Sequence, residues 1–323
     1  MVKSLRRLYH SEQAFDEVYV CCSALRWLKS ADEEETRIYD YLGQGIPRWP
    51  TTPMLEEHWA RVLHPGLGGP IGEIAAELYR AAPDFVTRSA RQAGLSRKDY
   101  VDLESDLFFV GVVRRVMGLL SIHGVELCHR KGALETLHLV NAQPPALVVG
   151  DKNEIFRSAD QGWVRFQVGR MLAYARPELF LARVFPAATL RNMLFGLCRV
   201  YNHGVQHSGD ELEVVEWTGI FERMPVEVLG RLNAMVRQVY PALLDGGALT
   251  SYLEAVELSA ARAGLVATGD LGVALNGVAQ VSDGVIALDE GAQTRDLLLF
   301  YVSQGYLSLR RECGASIQVE SGG

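Results

Sequence analysis

Apolar positions recur at helical spacing along the first 45 residues. Leu5, Leu8 and Tyr9 share one face of a helix, and a longer stripe begins at Phe15. Asp32 and the glutamates after it resemble an acidic helix start, which suits the positive end of a helix dipole. The pattern predicts three short helices. The second stripe comprises Phe15, Val18, Tyr19, Cys22, Leu25 and Leu28.

Further along the chain, the pattern changes from helix to strand and back to helix. Residues 43–53 are rich in Gly and Pro and are predicted to form a loop. A long amphipathic helix is predicted over Leu103–Leu120, and from Gln161 onward almost all segments have helical spacing. Short apolar runs between Gly, Asn and Pro predict a small sheet. The expected fold class is therefore α+β, predominantly α-helical. The predicted strands are Val125–Cys128, Leu137–Val140 and Ala146–Val149.

The composition of the chain indicates which kinds of partner the protein binds and in which cellular compartment it resides. The net charge of −7 disfavours nucleic acid or an anionic membrane as the main partner. No apolar run approaches the ~18 residues that a membrane span needs. The five cysteines are scattered and lack Cys-x-x-Cys spacing, which favours free thiols in a reducing compartment. We expect a cytoplasmic protein without a cofactor, whose partner is another protein.

Two predicted helices carry a resemblance to a peptidase family. The segment 255–265, with Glu257, is similar to the "Glu-x-x-Ala-Asp-Arg-x-Gly-Leu" helix of gluzincin metallopeptidases of the CAAX-prenyl-protease and membrane heat-shock-protease type. In that family the Glu is the third zinc ligand. Upstream, the segment 139–150 resembles the edge strand that runs beside the active-site helix. The resemblance covers roughly residues 103–310 and implies a zincin-like domain with a small sheet.

The same helices depart from the family at the residues that perform its chemistry. A zincin needs His-Glu-x-x-His on one helix face, where the Glu activates water. The matching positions are Phe166, Gln167 and Arg170, none of which can replace the ligand or base that is lost. Ala261 stands where the family has an Asp that supports the site. We therefore expect no peptidase activity here, and we expect Arg170 to form an ion pair with Glu257 in place of the metal.

A second resemblance is carried by six short segments: 96–99, 145–150, 169–170, 176–178, 257–260 and 269–271. Through them the whole chain resembles the C-terminal region of large tetratricopeptide-repeat proteins of myxobacteria-like bacteria. In these proteins a terminal repeat precedes a divergent copy of the peptidase-like domain. This implies a tetratricopeptide-like helical unit at 1–45, a helical connecting region at 46–102, a degenerate gluzincin-like domain at 103–312 and a flexible tail at 313–323. An ordinary helical hairpin explains 1–45 equally well. Because a single repeat cannot bury its own apolar face, we expect it to pack on the rest of the chain.

Another possible metal site lies in the segment 203–211. His203 and His207 have His-x-x-x-His spacing, and Glu211 follows closely. On a helix, the two imidazoles would face the same way and could hold zinc. However, Gly204 and the Ser208-Gly209 pair indicate that a helix ends here, so we favour polar residues at a helix end.

These observations favour a non-catalytic pseudo-peptidase module for protein–protein interaction or regulation. A scaffold that lost its zinc could keep a peptide groove beside the edge strand, where binding needs only exposed backbone. Two alternatives remain open: a metal-dependent hydrolase with a relocated site at His203 and His207, and a purely structural cap of a repeat array. The groove candidates are Asn141, Ala142, Val148 and Val149.

Overall fold

A computed structural model describes residues 1–131, 137–151, 155, 158, 160–280 and 283–317. Within these residues the fold is predominantly helical, with sixteen α-helices and one three-stranded sheet, so the predicted fold class is confirmed at this level. The helices before the sheet are α1 Val2–Ser11, α2 Phe15–Trp27, α3 Glu33–Gly43, α4 Glu56–Val62, α5 Pro70–Ala81, α6 Pro83–Val86 and α7 Phe108–Leu120. The strands are β1 Glu126–Arg130, β2 His138–Val140 and β3 Ala146–Gly150. The remaining helices are α8 Gln161–Ala173, α9 Pro177–Val184, α10 Ala187–Tyr201, α11 Glu211–Phe221, α12 Val226–Leu244, α13 Gly246–Thr268, α14 Leu271–Ala279, α15 Glu290–Tyr301 and α16 Gln304–Glu312.

Side-chain caps fix where several helices begin. Asp32 and Glu35 form a reciprocal capping box at the start of α3, in which each side chain accepts from the other's backbone N–H. Asp270 caps α14 by accepting from the N–H of Val273. The preceding residue, Gly269, ends α13 with a φ of 71°, a conformation that glycine adopts without strain. The acidic segment that begins at Asp32 is therefore a helix start, as predicted.

The long helix predicted over Leu103–Leu120 starts later than expected. α7 begins at Phe108, whereas residues 103 and 104 form a turn and 105–107 have no regular secondary structure. The Asp102 carboxylate accepts from the N–H of Glu104, a local hydrogen bond that competes with helix formation. The apolar spacing of this segment continues through the turn, which explains the error.

The sheet has the order β1-β3-β2. β1 pairs in parallel with β3, with Glu126 opposite Ala146, and β2 pairs antiparallel with β3, with His138 opposite Val148. β3 is therefore the central strand, and all five of its residues are buried. β2 lies against α8 and α9, two of the helices described below.

The N-terminal helices share the main core. One continuous cluster of buried apolar residues extends from Tyr9 to Cys313. α2 packs on α14 and α15, and its Tyr19, Cys22 and Leu25 are buried, whereas Phe15 is half-buried. The hairpin thus rests on the domain, largely through the face predicted from the sequence.

Packing also extends past the last helix. Cys313 is buried, and its carbonyl accepts from the N–H groups of Thr51 and Thr52 at 3.0 and 3.1 Å. The Ile317 N–H donates to Asp16. Residues 313–317 of the terminal segment therefore pack on the domain, and 318–323 lie outside the described residues. Among the described residues, no helix combines the length and apolarity that crossing a membrane requires.

Candidate functional site

The two helices singled out from the sequence cross at very close range. α13 packs along α8, and both carry small residues where they meet. A Cβ added at Gly169 would lie 2.4 Å from the Cβ of Ala267, and one at Gly264 would lie 2.8 Å from the ring of Phe166. These glycines permit a backbone separation that larger residues would prevent. The close contact brings side chains from the two helices into one small volume.

Arg170 and Glu257 meet within that volume. Arg170 Nη2 lies 3.2 Å from Glu257 Oε2, with side-chain exposures of 2% and 4%. This is the ion pair expected from the motif positions, and the prediction is confirmed. Tyr174, one turn after Arg170, donates its hydroxyl to Glu257 Oε1 at 2.7 Å. The Val285 backbone N–H donates to the same oxygen.

Two further charges complete the network, and the sequence did not indicate either of them. Arg170 Nη1 lies 3.1 Å from Asp283 Oδ1, and Arg183 Nη2 lies 2.8 Å from Asp283 Oδ2. Arg183 also donates to the Asp283 carbonyl. The network therefore holds two cations and two anions, which come from α8, α9, α13 and the segment before α15. We call Arg170, Tyr174, Arg183, Glu257 and Asp283 the charged network.

The charged network changes the pKa values of several of its members. Burial alone would raise the pKa of the Asp283 carboxyl, but Arg170 and Arg183 hold it below the ordinary value. Burial would lower the pKa of the Arg170 guanidinium, but its neighbours, led by Tyr174 and then Glu257, raise it. Burial raises the pKa of the Tyr174 hydroxyl well above its usual range. At neutral pH, Tyr174 is therefore a neutral donor between charged groups.

The residues at the positions that match the family's zinc ligands do not fit a metal ion. Arg170 offers five donors and no lone pair, and it occupies the space next to the only carboxylate of the motif. Both Glu257 oxygens already accept hydrogen bonds. The ring of Phe166 packs against Gly264 and Gly277, so it fills core space between α13 and α14. The described residues contain no group of three His, Cys, Asp or Glu side chains arranged for a metal.

The other two motif positions do not join the network. Gln167 is half-buried on α8, next to Phe166. Ala261 is buried on α13, one turn after Glu257, and its methyl group has no polar atom with which to support a ligand. The structure therefore brings together Arg170 and Glu257 out of the five positions taken from the motif.

The predicted peptide groove needs correction. Val148 and Val149 lie on the central strand β3, where Val148 pairs with both β1 and β2 and Val149 pairs with β1, so neither lies on an outer strand. Ala142 is buried in a small second apolar cluster with Ala146 and Val148. Asn141 is half-buried and donates to the Val86 carbonyl. The outer strand beside α8 is β2 instead, because the chain turns back after residue 140 to place β3 in the middle.

β2 lies within electrostatic reach of the charged network. Burial lowers the pKa of the His138 imidazole, Arg183 lowers it further, and Asp283 opposes the shift. His138 thus places the outer strand close to the carboxylate that Arg183 holds. β2 also lies against α8 and α9, the helices that carry Arg170 and Arg183.

The segment 203–211 does not form the alternative metal site. α10 ends at Tyr201, so His203 and His207 do not share a helix face. His203 is exposed in a turn, whereas His207 packs on Phe195 and has its Nε2 2.8 Å from Glu211 Oε2. The helix end that Gly204 and the Ser208-Gly209 pair indicated is therefore confirmed, at Tyr201.

We compared the chain with protein-family models, with curated proteins and with solved structures, and none of the three comparisons gave a match. The functional assignment therefore depends on the residues and their geometry.

Proposed function

We propose that this chain is a non-catalytic, protein-binding module built on a gluzincin-like scaffold. The observation that carries the proposal is the ion pair between Arg170 and Glu257 at the positions that match two zinc ligands of the family. A permanent cation between α8 and α13 supplies the positive charge that a metal would supply. It provides no activated water, because a guanidinium neither binds water as a Lewis acid nor loses its proton.

The same network supports a structural role for the former site. Glu257 without a cation would be a buried charge, which is strongly unfavourable. Arg170 offsets that charge and also engages Asp283, so one side chain links two helices to the loop before α15. A rigid scaffold of this kind can present a binding surface without performing chemistry.

We place the protein-binding surface along β2 and the adjoining network. β2 is an outer strand of the sheet, and an extended peptide can add to such a strand through backbone hydrogen bonds. The free thiols of Cys21, Cys22, Cys128, Cys198 and Cys313 are all buried and fit the cytoplasmic location that we propose.

A cleavage assay tests the non-catalytic assignment. Purified full-length protein is incubated with a diverse peptide mixture and added zinc, and the products are followed by mass spectrometry. We expect no cleavage above that of a Glu257→Gln control. Cleavage that Glu257→Gln abolishes would contradict the proposal. Cleavage lost only in His203→Ala/His207→Ala would show the relocated hydrolase.

A structural cap is the second candidate function, and an apolar hollow favours it. A cavity of about 330 Å³ lies between α1, α2 and α15 and is lined by Val2, Leu28 and Leu299. Leu28 and Leu299 are exposed. A preceding repeat could stack there, because repeat units bury their apolar faces on their neighbours.

A fusion experiment tests the cap. Consensus tetratricopeptide repeats are joined before Met1, and their melting is compared with that of a Leu28→Glu/Leu299→Glu version. A cap stabilises the repeats only when both leucines are intact. Equal melting of the two fusions would exclude stacking at this surface.

A further inference from the structure

The two arginines of the charged network hold a carboxylate that comes from a loop. Arg170 lies on α8 and Arg183 on α9, whereas Asp283 lies before α15 in the segment 283–289, which contains no helix or strand. Each oxygen of Asp283 faces a different guanidinium, at 3.1 and 2.8 Å. The arginines therefore form a two-sided receptor for one carboxylate.

The loop backbone lies directly against the network. The Val285 N–H donates to Glu257, and a Cβ added at Gly284 would come within 3.3 Å of the Glu257 carboxyl carbon. The Asp283 side chain is 21% exposed, compared with 2% for Arg170. The loop thus occupies the solvent-facing side of the network, and Asp283 is its outermost anion.

The charges specify what could take the place of Asp283. Without that carboxylate, Arg170 and Arg183 would face Glu257 alone, and the site would carry one excess positive charge. Arg183 would lose its ion-pair partner, and a buried, unpaired cation is strongly unfavourable. Only an anion restores the balance, and two guanidinium groups match the two oxygens of a carboxylate.

We propose that Arg170 and Arg183 form a carboxylate-binding site, which Asp283 fills in the free protein and an acidic side chain of a partner protein fills when the loop 283–289 moves aside. The protein nature of the partner rests on the proposed function, but the carboxylate chemistry does not. β2 lies against α9, the helix that carries Arg183, so an extended partner along β2 would pass beside that helix. Its acidic side chain could then reach the two arginines.

A peptide of this chain provides the probe. A capped peptide with the sequence of residues 283–289 is titrated against the full-length Asp283→Ala variant, and binding is followed by calorimetry. The control peptide carries Asn at the first position. We expect the Asp peptide to bind at least about tenfold more tightly than the Asn peptide, because only the former makes charge-assisted bonds to both guanidinium groups. Asp283→Ala/Arg183→Met should lose this preference.

The possible outcomes separate the parts of the proposal. Equal binding of the two peptides, or a preference that survives Arg183→Met, would overturn the carboxylate site. Acetate that matches the peptide in affinity would overturn the protein partner and indicate a small-molecule carboxylate instead. If Asp283→Ala does not fold, Asp283→Asn replaces it, with the same order of affinities expected. Peptide cleavage would overturn the proposed function without affecting these results.

Discussion

The buried charges of the network are tolerable because each of them has a partner of opposite sign. Arg170 contacts both Glu257 and Asp283, and Arg183 contacts Asp283. Replacing such a network with apolar residues can be neutral, whereas removing one member leaves a buried charge without its partner. Single substitutions should therefore be far more damaging than paired ones.

A double-mutant cycle on Arg170 and Glu257 tests this coupling. Arg170→Met and Glu257→Gln should each lower the free energy of unfolding by about 3–5 kcal/mol, the usual cost of breaking a buried pair. The double variant should lose much less than the sum of the two, as measured by denaturant unfolding.

An exposed ion pair provides the matched control. Arg114 and Glu104 lie 3.0 Å apart, with side-chain exposures of 46% and 80%. Arg114→Met should change the free energy of unfolding by less than about 1 kcal/mol. Additive losses at Arg170 and Glu257 would mean that the two residues do not act as a unit.

Asp283 should make stability depend on acid pH. Its pKa is lowered below 3.8 in the folded protein, so its contribution is fully present above pH 3.8 and is lost as the pH falls through the folded value. We expect the stability difference between wild type and Asp283→Asn to be constant near neutral pH and to shrink below pH 3.8. Urea unfolding across pH measures it. A difference that grows on acidification would contradict this assignment.

The sequence could predict part of the charged network. Arg170 and Glu257 stand at recognisable motif positions, so their pairing followed from the resemblance and from charge. Asp283 lies 113 residues from Arg170, and no spacing rule connects them. Arg183 and Asp283 meet only because α9 and the loop before α15 converge on α8. Such contacts depend on tertiary packing and have no local signal.

At the scale of elements, α2 is held to the domain by apolar packing and by a buried ion pair. Arg310 on α16 binds Asp16 on α2 through two hydrogen bonds, of 2.8 and 2.7 Å. Tyr19 stacks on Tyr39 and is buried. The hairpin is therefore part of the domain's own stability.

Tyr19→Ala should destabilise the whole chain. Removing a large buried ring leaves a cavity, and we expect a loss of about 3–5 kcal/mol and a lower melting temperature for the single transition. Tyr41 on α3 is 75% exposed, so Tyr41→Ala should leave melting nearly unchanged. If Tyr19→Ala melts like wild type, the hairpin is an independent unit.

Most helices and strands could be predicted from apolar spacing, but the order in which the strands pair could not. The strands near 126, 138 and 146 were expected, yet alternation does not say which strand is central. β3 is central because it pairs directly with β1 in parallel, although β2 lies between them in the sequence, and with β2 antiparallel. The groove residues Val148 and Val149 were misplaced for that reason.

At the scale of the molecule, one core joins the N-terminal hairpin, the sheet and the helices around α13. The charged network lies where α8 and α13 meet the loop before α15. In our account, the position of a catalytic metal has become a fixed ionic centre beside an outer strand. We propose that the molecule acts by binding and that these central side chains keep its binding surface in place.

Zinc binding by the full-length protein tests this account most directly. The protein is stripped with a chelator, dialysed against zinc and analysed for metal, together with the Phe166→His/Gln167→Glu/Arg170→His variant as a positive comparison. Wild type should retain no stoichiometric zinc, because Arg170 fills the ligand position and its guanidinium engages Glu257. About one zinc ion per wild-type chain that is lost in Glu257→Gln would contradict the account.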